Sequence, residues 1–224
     1  MHHQAVSVCL MKRRSRLIMS LRLSEAQFKA LQNRGLSANK NKEVLTPQDY
    51  DIQKHIVTTL DRAAVLRDKS PLLVTLSLGL KAIQSDQCKS KPFERVEQAL
   101  ALYWLKNSCP HAFSMTTATP MGGFRPNGAG GQMKGEGAKP GYPDLLMDVP
   151  RHNYHGLRIE MKKYSLSAKP SMDQTQWLTM LAKEGYCSVL CRGHQAAIQV
   201  FREYLNIPFD SNYADLPKWC IQYY

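Results

Sequence analysis

The apolar positions change rhythm along this chain, and each change marks an element. Phe28, Leu31 and Leu36 follow Ser24 at roughly helical spacing, with Gly35 as the stop. Thr46 with Pro47 opens a second helical segment carrying Ile52, Ile56, Val57 and Leu60. A third apolar stretch runs from Leu72 to Ile83. Glu94 to Leu105 predicts another helix, with Val96, Leu100 and Tyr103 on one side, ended by Cys109-Pro110. The period then falls to two. Asp144 to Val149 reads as a strand, residues 150–156 as a turn, and Leu157 to Tyr164 as a strand of strict alternation. Leu157, Ile159 and Met161 share one face; Arg158, Glu160 and Lys162 share the other. A helix from Met172 to Glu184 places Trp177, Leu178 and Leu181 on its apolar stripe, with Trp177 read as core, and Gly185 stops it. Tyr186 to Cys191 reads as a strand and Gln195 to Leu205 as a closing helix. This order predicts an α/β fold, a mixed sheet flanked by helices, preceded by a mostly helical N-terminal region. Three parts follow: residues 1–92, residues 93–207 and a tail, 208–224.

Between the two rhythms lies a stretch that fits neither. Eight of the 13 glycines fall between Gly122 and Gly141, with Pro120, Pro126 and Pro140 among them. Such a stretch is either a linker or a backbone that must approach a ligand closely. No GxxxxGK[ST] pattern is present, so a nucleoside-triphosphate loop is not supported.

Charge narrows the partner. The 224 residues carry 30 Lys+Arg against 18 Asp+Glu, a net of +12. Residues 1–92 hold 16 basic and seven acidic groups, and the first 42 hold nine and one. The basic run Lys12, Arg13, Arg14 and Arg16 reads as a clamp on phosphates, against the plainer reading of a solvated arm. A polyanion is the expected partner. A membrane is not: the longest apolar run, Pro71 to Leu80, is about half a spanning helix. The short apolar start precedes the basic run, which is the wrong order for a secretory signal. Six scattered cysteines read as reduced thiols in an intracellular, cytoplasmic protein. Cys187, Cys191 and His194 suggest zinc, but no second pair completes a site. His152 and His155, in the turn, are expected at the surface.

The chemistry gathers on the hairpin. Glu160 and Lys162 lie two apart on one strand face, which by itself reads as an ordinary ion pair. Asp144, one short turn back, comes within reach of Glu160. Two carboxylates that close repel unless a cation lies between them, and an oxygen set suits Mg²⁺. The chain has one Pro-Asp dipeptide and one acidic-x-Lys tripeptide, with Asp144 and Glu160 16 residues apart. Together they form the PD…ExK pattern of metal-dependent nucleases. There the cation polarises a phosphate and Lys162 orients or deprotonates the attacking water.

From Phe93 to Leu205 the chain resembles the virus-type replication-repair nuclease family, VRR-NUC, of the PD-(D/E)xK restriction-endonuclease-like superfamily, in its phage and prophage type. The resemblance is carried by ERVEQALALYW (94–104), TPMGGFR (119–125), GEGAKPGYPDLLM (135–147), YHGLRIEMK (154–162), DQTQWLTML (173–181) and GYCSVLCRG (185–193). It implies a restriction-endonuclease-like core. It implies Asp144 and Glu160 as metal-binding carboxylates, the Met161 carbonyl as a further ligand, and Lys162 as the catalytic lysine. Glu94, with Glu97 as the alternative, matches the acid that completes the metal shell. Gln174 matches the Gln of the Qx₂W helix near the scissile phosphate. Arg125, with Gly122 and Gly123, matches the NGGxR loop, though Met121 replaces its Asn; Arg125 and Lys139 are candidate DNA contacts. The implied activity is Mg²⁺- or Mn²⁺-dependent phosphodiester hydrolysis on DNA, often flapped or Holliday-junction DNA, in phage replication, recombination or repair. By analogy the implied assembly is a homodimer. The alternative is a nucleic-acid-binding protein that keeps the fold without turnover.

Overall fold

A computed structural model describes residues 50–85, 91, 93–119, 135–208 and 216–224. The helix expected behind Ser24, the basic run and most of the Gly-rich stretch lie outside these. Helix α1 (Ile52–Val65) starts later than Thr46-Pro47 suggested. Its cap is Asp51, whose carboxylate accepts from the Lys54 N–H at 3.1 Å. Helix α2 (Pro71–Gln84) has Pro in its first turn, where a missing N–H costs nothing. Helix α3 (Phe93–Ser108) is buried on more than one side because it lies between two layers. Against α1 and α2 it contributes Val96, Ala99 and Leu100 to a cluster with Ile52, Ile56 and Leu76. The approach is close: a Cβ on Gly79 of α2 would lie 2.3 Å from Val96 Cγ2. Asp68, between α1 and α2, pairs with Lys106 of α3 at 2.9 Å and accepts from Tyr103 Oη at 3.1 Å.

The other side of α3 meets the sheet. Cys109-Pro110 does end α3, but Pro110 also opens a short helix, α4 (Pro110–Ser114). The strands are β1 (Thr116–Ala118), β2 (Leu145–Met147), β3 (Leu157–Lys162), β4 (Cys187–Arg192) and β5 (Ile221–Tyr223), in sheet order β1-β2-β3-β4-β5. Of these pairs β3 and β4 are the parallel one, with Leu157 opposite Cys187 and Lys162 opposite Arg192. Helix α5 (Met172–Lys183) connects them, as a parallel pair requires. Both strands are buried along their whole length. Leu157, Ile159, Met161, Cys187, Val189 and Cys191 form one core with α3 and with Phe201 and Tyr204 of helix α6 (His194–Leu205).

Strands β1 and β5 were not expected. Each is three residues long, too short for an alternation to show. Within the tail segment, a 3₁₀ turn (Lys218–Cys220) leads into β5, which pairs antiparallel with β4. The first hairpin strand is shorter than expected, because Asp144 leaves the ladder just ahead of Leu145, which sits opposite Ile159. Among the described residues no helix is long and apolar enough to cross a membrane.

Candidate active site

Asp144 is held at the mouth of the β2–β3 hairpin by its backbone and its side chain. Thr119, just past β1, donates its N–H to the Asp144 carbonyl and its hydroxyl to the Pro143 carbonyl, both at 2.8 Å. The carboxylate Oδ2 accepts from the Met161 N–H at 2.8 Å. The loop ahead of it lies on the start of α5. Gly141 has φ +77°, and a Cβ there would come within 2.6 Å of Asp173 Cβ and 2.8 Å of Gln174 N. Only Gly meets both conditions. Trp177 proves to be half-buried, not core. Its indole N–H donates to the Pro140 carbonyl at 3.0 Å and its ring meets Tyr142 edge-on at 4.9 Å. An amphipathic ring with a donor at its edge suits a loop anchor better than a dry core.

Glu160 is 1% exposed, and its two oxygens have opposite fates. Oε1 accepts from Lys162 Nζ at 2.7 Å and from the Gln174 amide. Oε2 is buried with no hydrogen-bond partner. Burial first, and the neighbouring Asp144 second, push the Glu160 carboxyl up to about 8 despite the Lys162 charge. Burial also raises Asp144. The Met161 N–H and Lys162 pull it back, and Glu94 pushes it further up. The site thus holds crowded acids and one orphaned oxygen, the pattern a hard cation relieves. Among the described residues no three His, Cys, Asp or Glu side chains form a ready-made cage. The feature is a carboxylate pair, which suits a cation that keeps much of its water.

The Gln174 amide is oriented by its own helix. Ser171 caps α5 by accepting from Gln174 N at 3.2 Å, and Gln174 Oε1 accepts from Ser171 N at 2.8 Å. With its carbonyl committed to the cap, Gln174 has its NH₂ to offer Glu160. The Ser171-x-x-Gln174 capping box is legible in the sequence as a helix start, though its service to Glu160 is not.

Asp144, Glu160, Lys162 and Gln174 come together. Of the two helix acids, Glu94 is exposed on the first turn of α3 and acts on Asp144, whereas Glu97 is buried against Tyr50 and His194. The Met161 side chain is in the core, so its main chain is the part at the site. Lys139 is exposed in the loop before Pro140. Arg125, Lys12, Arg13, Arg14 and Arg16 lie outside the described residues. His152, expected at the surface, is buried, with Nε2 3.0 Å from the Tyr204 carbonyl, because the turn folds back onto α6. His155 is exposed as expected. Cys187 and Cys191 are buried free thiols of β4, and His194 is engaged by Glu97.

A mixed five-stranded sheet flanked by helices, with paired carboxylates at the mouth of its antiparallel hairpin, is a restriction-endonuclease-like α/β domain. No family model matches the chain, and no curated protein does. Among solved structures it is similar to one described as a VRR_NUC domain protein, at 30% identity over 57% of this chain and 95% of that one, with a TM-score of 0.46. With that identity over nearly the whole of its relative, the chain belongs to the VRR_NUC domain family.

Proposed function

We propose that this protein is a metal-dependent DNA nuclease that hydrolyses phosphodiester bonds. The observation that carries the reading is the pair of half-buried Asp144 and buried Glu160, with Lys162 on Glu160 Oε1 and Oε2 left without a partner. Asp144 and Glu160 would hold Mg²⁺ or Mn²⁺, with the Met161 main chain and Glu94 completing the set. Bound there, the cation would supply Lewis acidity toward the scissile phosphate. Lys162, whose ammonium is bonded to this carboxylate, would orient or deprotonate the attacking water, or meet the charge that builds on the phosphate oxygens. Gln174 holds Glu160 in register for both roles. A pure binding role leaves the cost of two crowded carboxylates next to phosphate unexplained.

Lys139 and Arg125 would contact DNA near the cut, and the basic segment Lys12 to Arg16 would add affinity without sequence preference. The preferred substrates on this reading are branched: flapped DNA or four-way junctions met in replication, recombination or repair, in a phage or prophage setting. A homodimer would bring two such sites to two strands.

Incubation of the full chain with linear, flapped and four-way-junction DNA, each with Mg²⁺, Mn²⁺ or EDTA, tests this. Cutting that needs metal supports the nuclease reading, and faster cutting of the branched forms supports the narrower one. Binding without cutting of any substrate in either metal supports the rival reading, a nuclease fold without turnover.

A further inference from the structure

Glu97, a carboxylate of α3 that is 1% exposed, takes no part in the site above yet is engaged through one oxygen by two residues. Its Oε2 accepts from Tyr50 Oη at 2.5 Å and from the His194 backbone N–H at 2.8 Å, and it lies 2.8 Å from His194 Nδ1. Helix α6 opens at His194 behind Gly193, which has no side chain to cap it. Glu97 supplies that cap from another helix, its negative charge at the positive end of α6. Burial, and then Glu97 itself, push the Tyr50 phenol well above its usual range, so it stays a donor. From α1, His55 meets His194 edge-on at 4.7 Å; burial and His194 lower it to about 4, so it brings no charge at neutral pH.

The same cluster reaches the catalytic strand. The Tyr50 ring stacks on Tyr164 at 4.0 Å, and Tyr164 lies two residues beyond Lys162. Tyr164 also covers Gly193, where a Cβ would lie 2.8 Å from its ring and φ is +86°. The Gly193 N–H donates to the Lys162 carbonyl at 2.8 Å. A continuous set of contacts therefore runs from Tyr50, through Tyr164 and His194, to Gly193 and the backbone of Lys162.

We propose that Tyr50 is a positioning residue for Lys162, a latch by which the segment leading into α1 fixes the end of β3. It touches no reacting group and acts through Tyr164, Glu97 and Gly193. The proposal rests on the nuclease reading for the meaning of turnover, but the latch has a structural consequence of its own. Two parts of the N-terminal region then serve different ends. The basic segment far ahead of Tyr50 adds affinity for nucleic acid, while Tyr50 sets the rate.

The test compares full-length Tyr50→Phe and Tyr50→Ala with the parent, well below their melting temperatures. Two quantities are read: DNA cleavage as kcat and KM, and hydrogen exchange of the Gly193 amide. Tyr50→Ala should lower kcat by about tenfold or more with KM little changed, since a small misplacement of a catalytic group is costly. It should also speed exchange at Gly193. Tyr50→Phe keeps the stack on Tyr164, and Glu97 keeps its His194 donors, so it should recover most of both. A Tyr50→Ala protein that melts earlier but keeps the parent kcat and a protected Gly193 amide overturns the latch. If the parent cuts no DNA, the nuclease reading fails. Gly193 exchange then decides the latch alone: acceleration supports the contact and protection refutes it.

Discussion

Lys162 Nζ donates to Glu160 Oε1 at 2.7 Å, a buried contact that uses only one of the two carboxyl oxygens. Lys162 Nζ and the Gln174 amide both donate to Oε1. The other oxygen, Oε2, has no donor, and Asp144 is the like-charged neighbour of the group. An acid satisfied on one side and unsatisfied on the other is what the proposed cation would relieve.

Glu160→Gln should separate stability from function. The new amide keeps an acceptor for Lys162 and Gln174 and can turn its NH₂ toward Asp144. In EDTA the variant should be more stable than the parent by roughly 1–3 kcal/mol at neutral pH, because a strongly raised carboxyl is removed. It should lose Mn²⁺ binding and cleavage. Thermal melting and calorimetric titration check both; a variant that is less stable and still binds Mn²⁺ contradicts the assignment.

Metal binding should be linked to protons. Glu160, raised to about 8, keeps its proton at neutral pH in the metal-free protein. A cation must displace it, so Mn²⁺ affinity should climb with pH by up to about tenfold per unit below that value and level off above it. The unfolded chain releases the same proton near its ordinary 4.5. The metal-free fold should therefore lose stability as pH rises from there toward about 8, and saturating Mn²⁺ should reverse the trend. Titration in buffers of different ionisation enthalpy counts the proton released; a pH-independent affinity speaks against Glu160 as a ligand.

Gln174→Glu keeps the capping box with Ser171 but replaces a donor with a third carboxylate against Glu160. Helix α5 should survive, with little change in circular dichroism, while cleavage falls by about 10- to 100-fold, the usual cost of losing a ligand's supporting bond. Ser171→Ala makes the contrasting change, costing about 1 kcal/mol for the cap. Parent-like cleavage by Gln174→Glu rules out the supporting bond as a contributor.

Gly141→Ala tests the loop that delivers Asp144. The added methyl meets Asp173 and the Gln174 backbone, and φ is positive. Destabilisation of roughly 1–3 kcal/mol is expected, with weaker Mn²⁺ binding at temperatures where the protein is folded. Unchanged melting and binding would mean that the loop yields freely.

The residues behind these variants differ in how legible they are from sequence. The period-two alternation and the Pro-Asp…Glu-x-Lys spacing locate the hairpin and bring Asp144, Glu160 and Lys162 together, because local pleat geometry decides which side chains share a face. Thr119 and Gly141 are not legible as supports. They act through backbone contacts with segments 24 and 32 residues away in sequence. Trp177 and His152 depart from expectation for a related reason. Hydropathy assigns each to inside or outside, whereas here a single hydrogen bond to a distant carbonyl settles its place. The network of Glu97, Tyr50 and His194 joins three separated segments, and no periodicity within any of them announces it.

On the proposed function, metal-dependent cleavage turns on Asp144 and Lys162. Single-turnover cleavage of DNA in Mn²⁺ by the parent, Asp144→Ala and Lys162→Ala tests that most directly. The parent should cut and stop on adding EDTA. Asp144→Ala should lose Mn²⁺ binding and cutting together. Lys162→Ala should retain Mn²⁺ yet cut at least about 100-fold more slowly. Either variant cutting at the parent rate, or a parent that cuts equally well in EDTA, contradicts this mechanism.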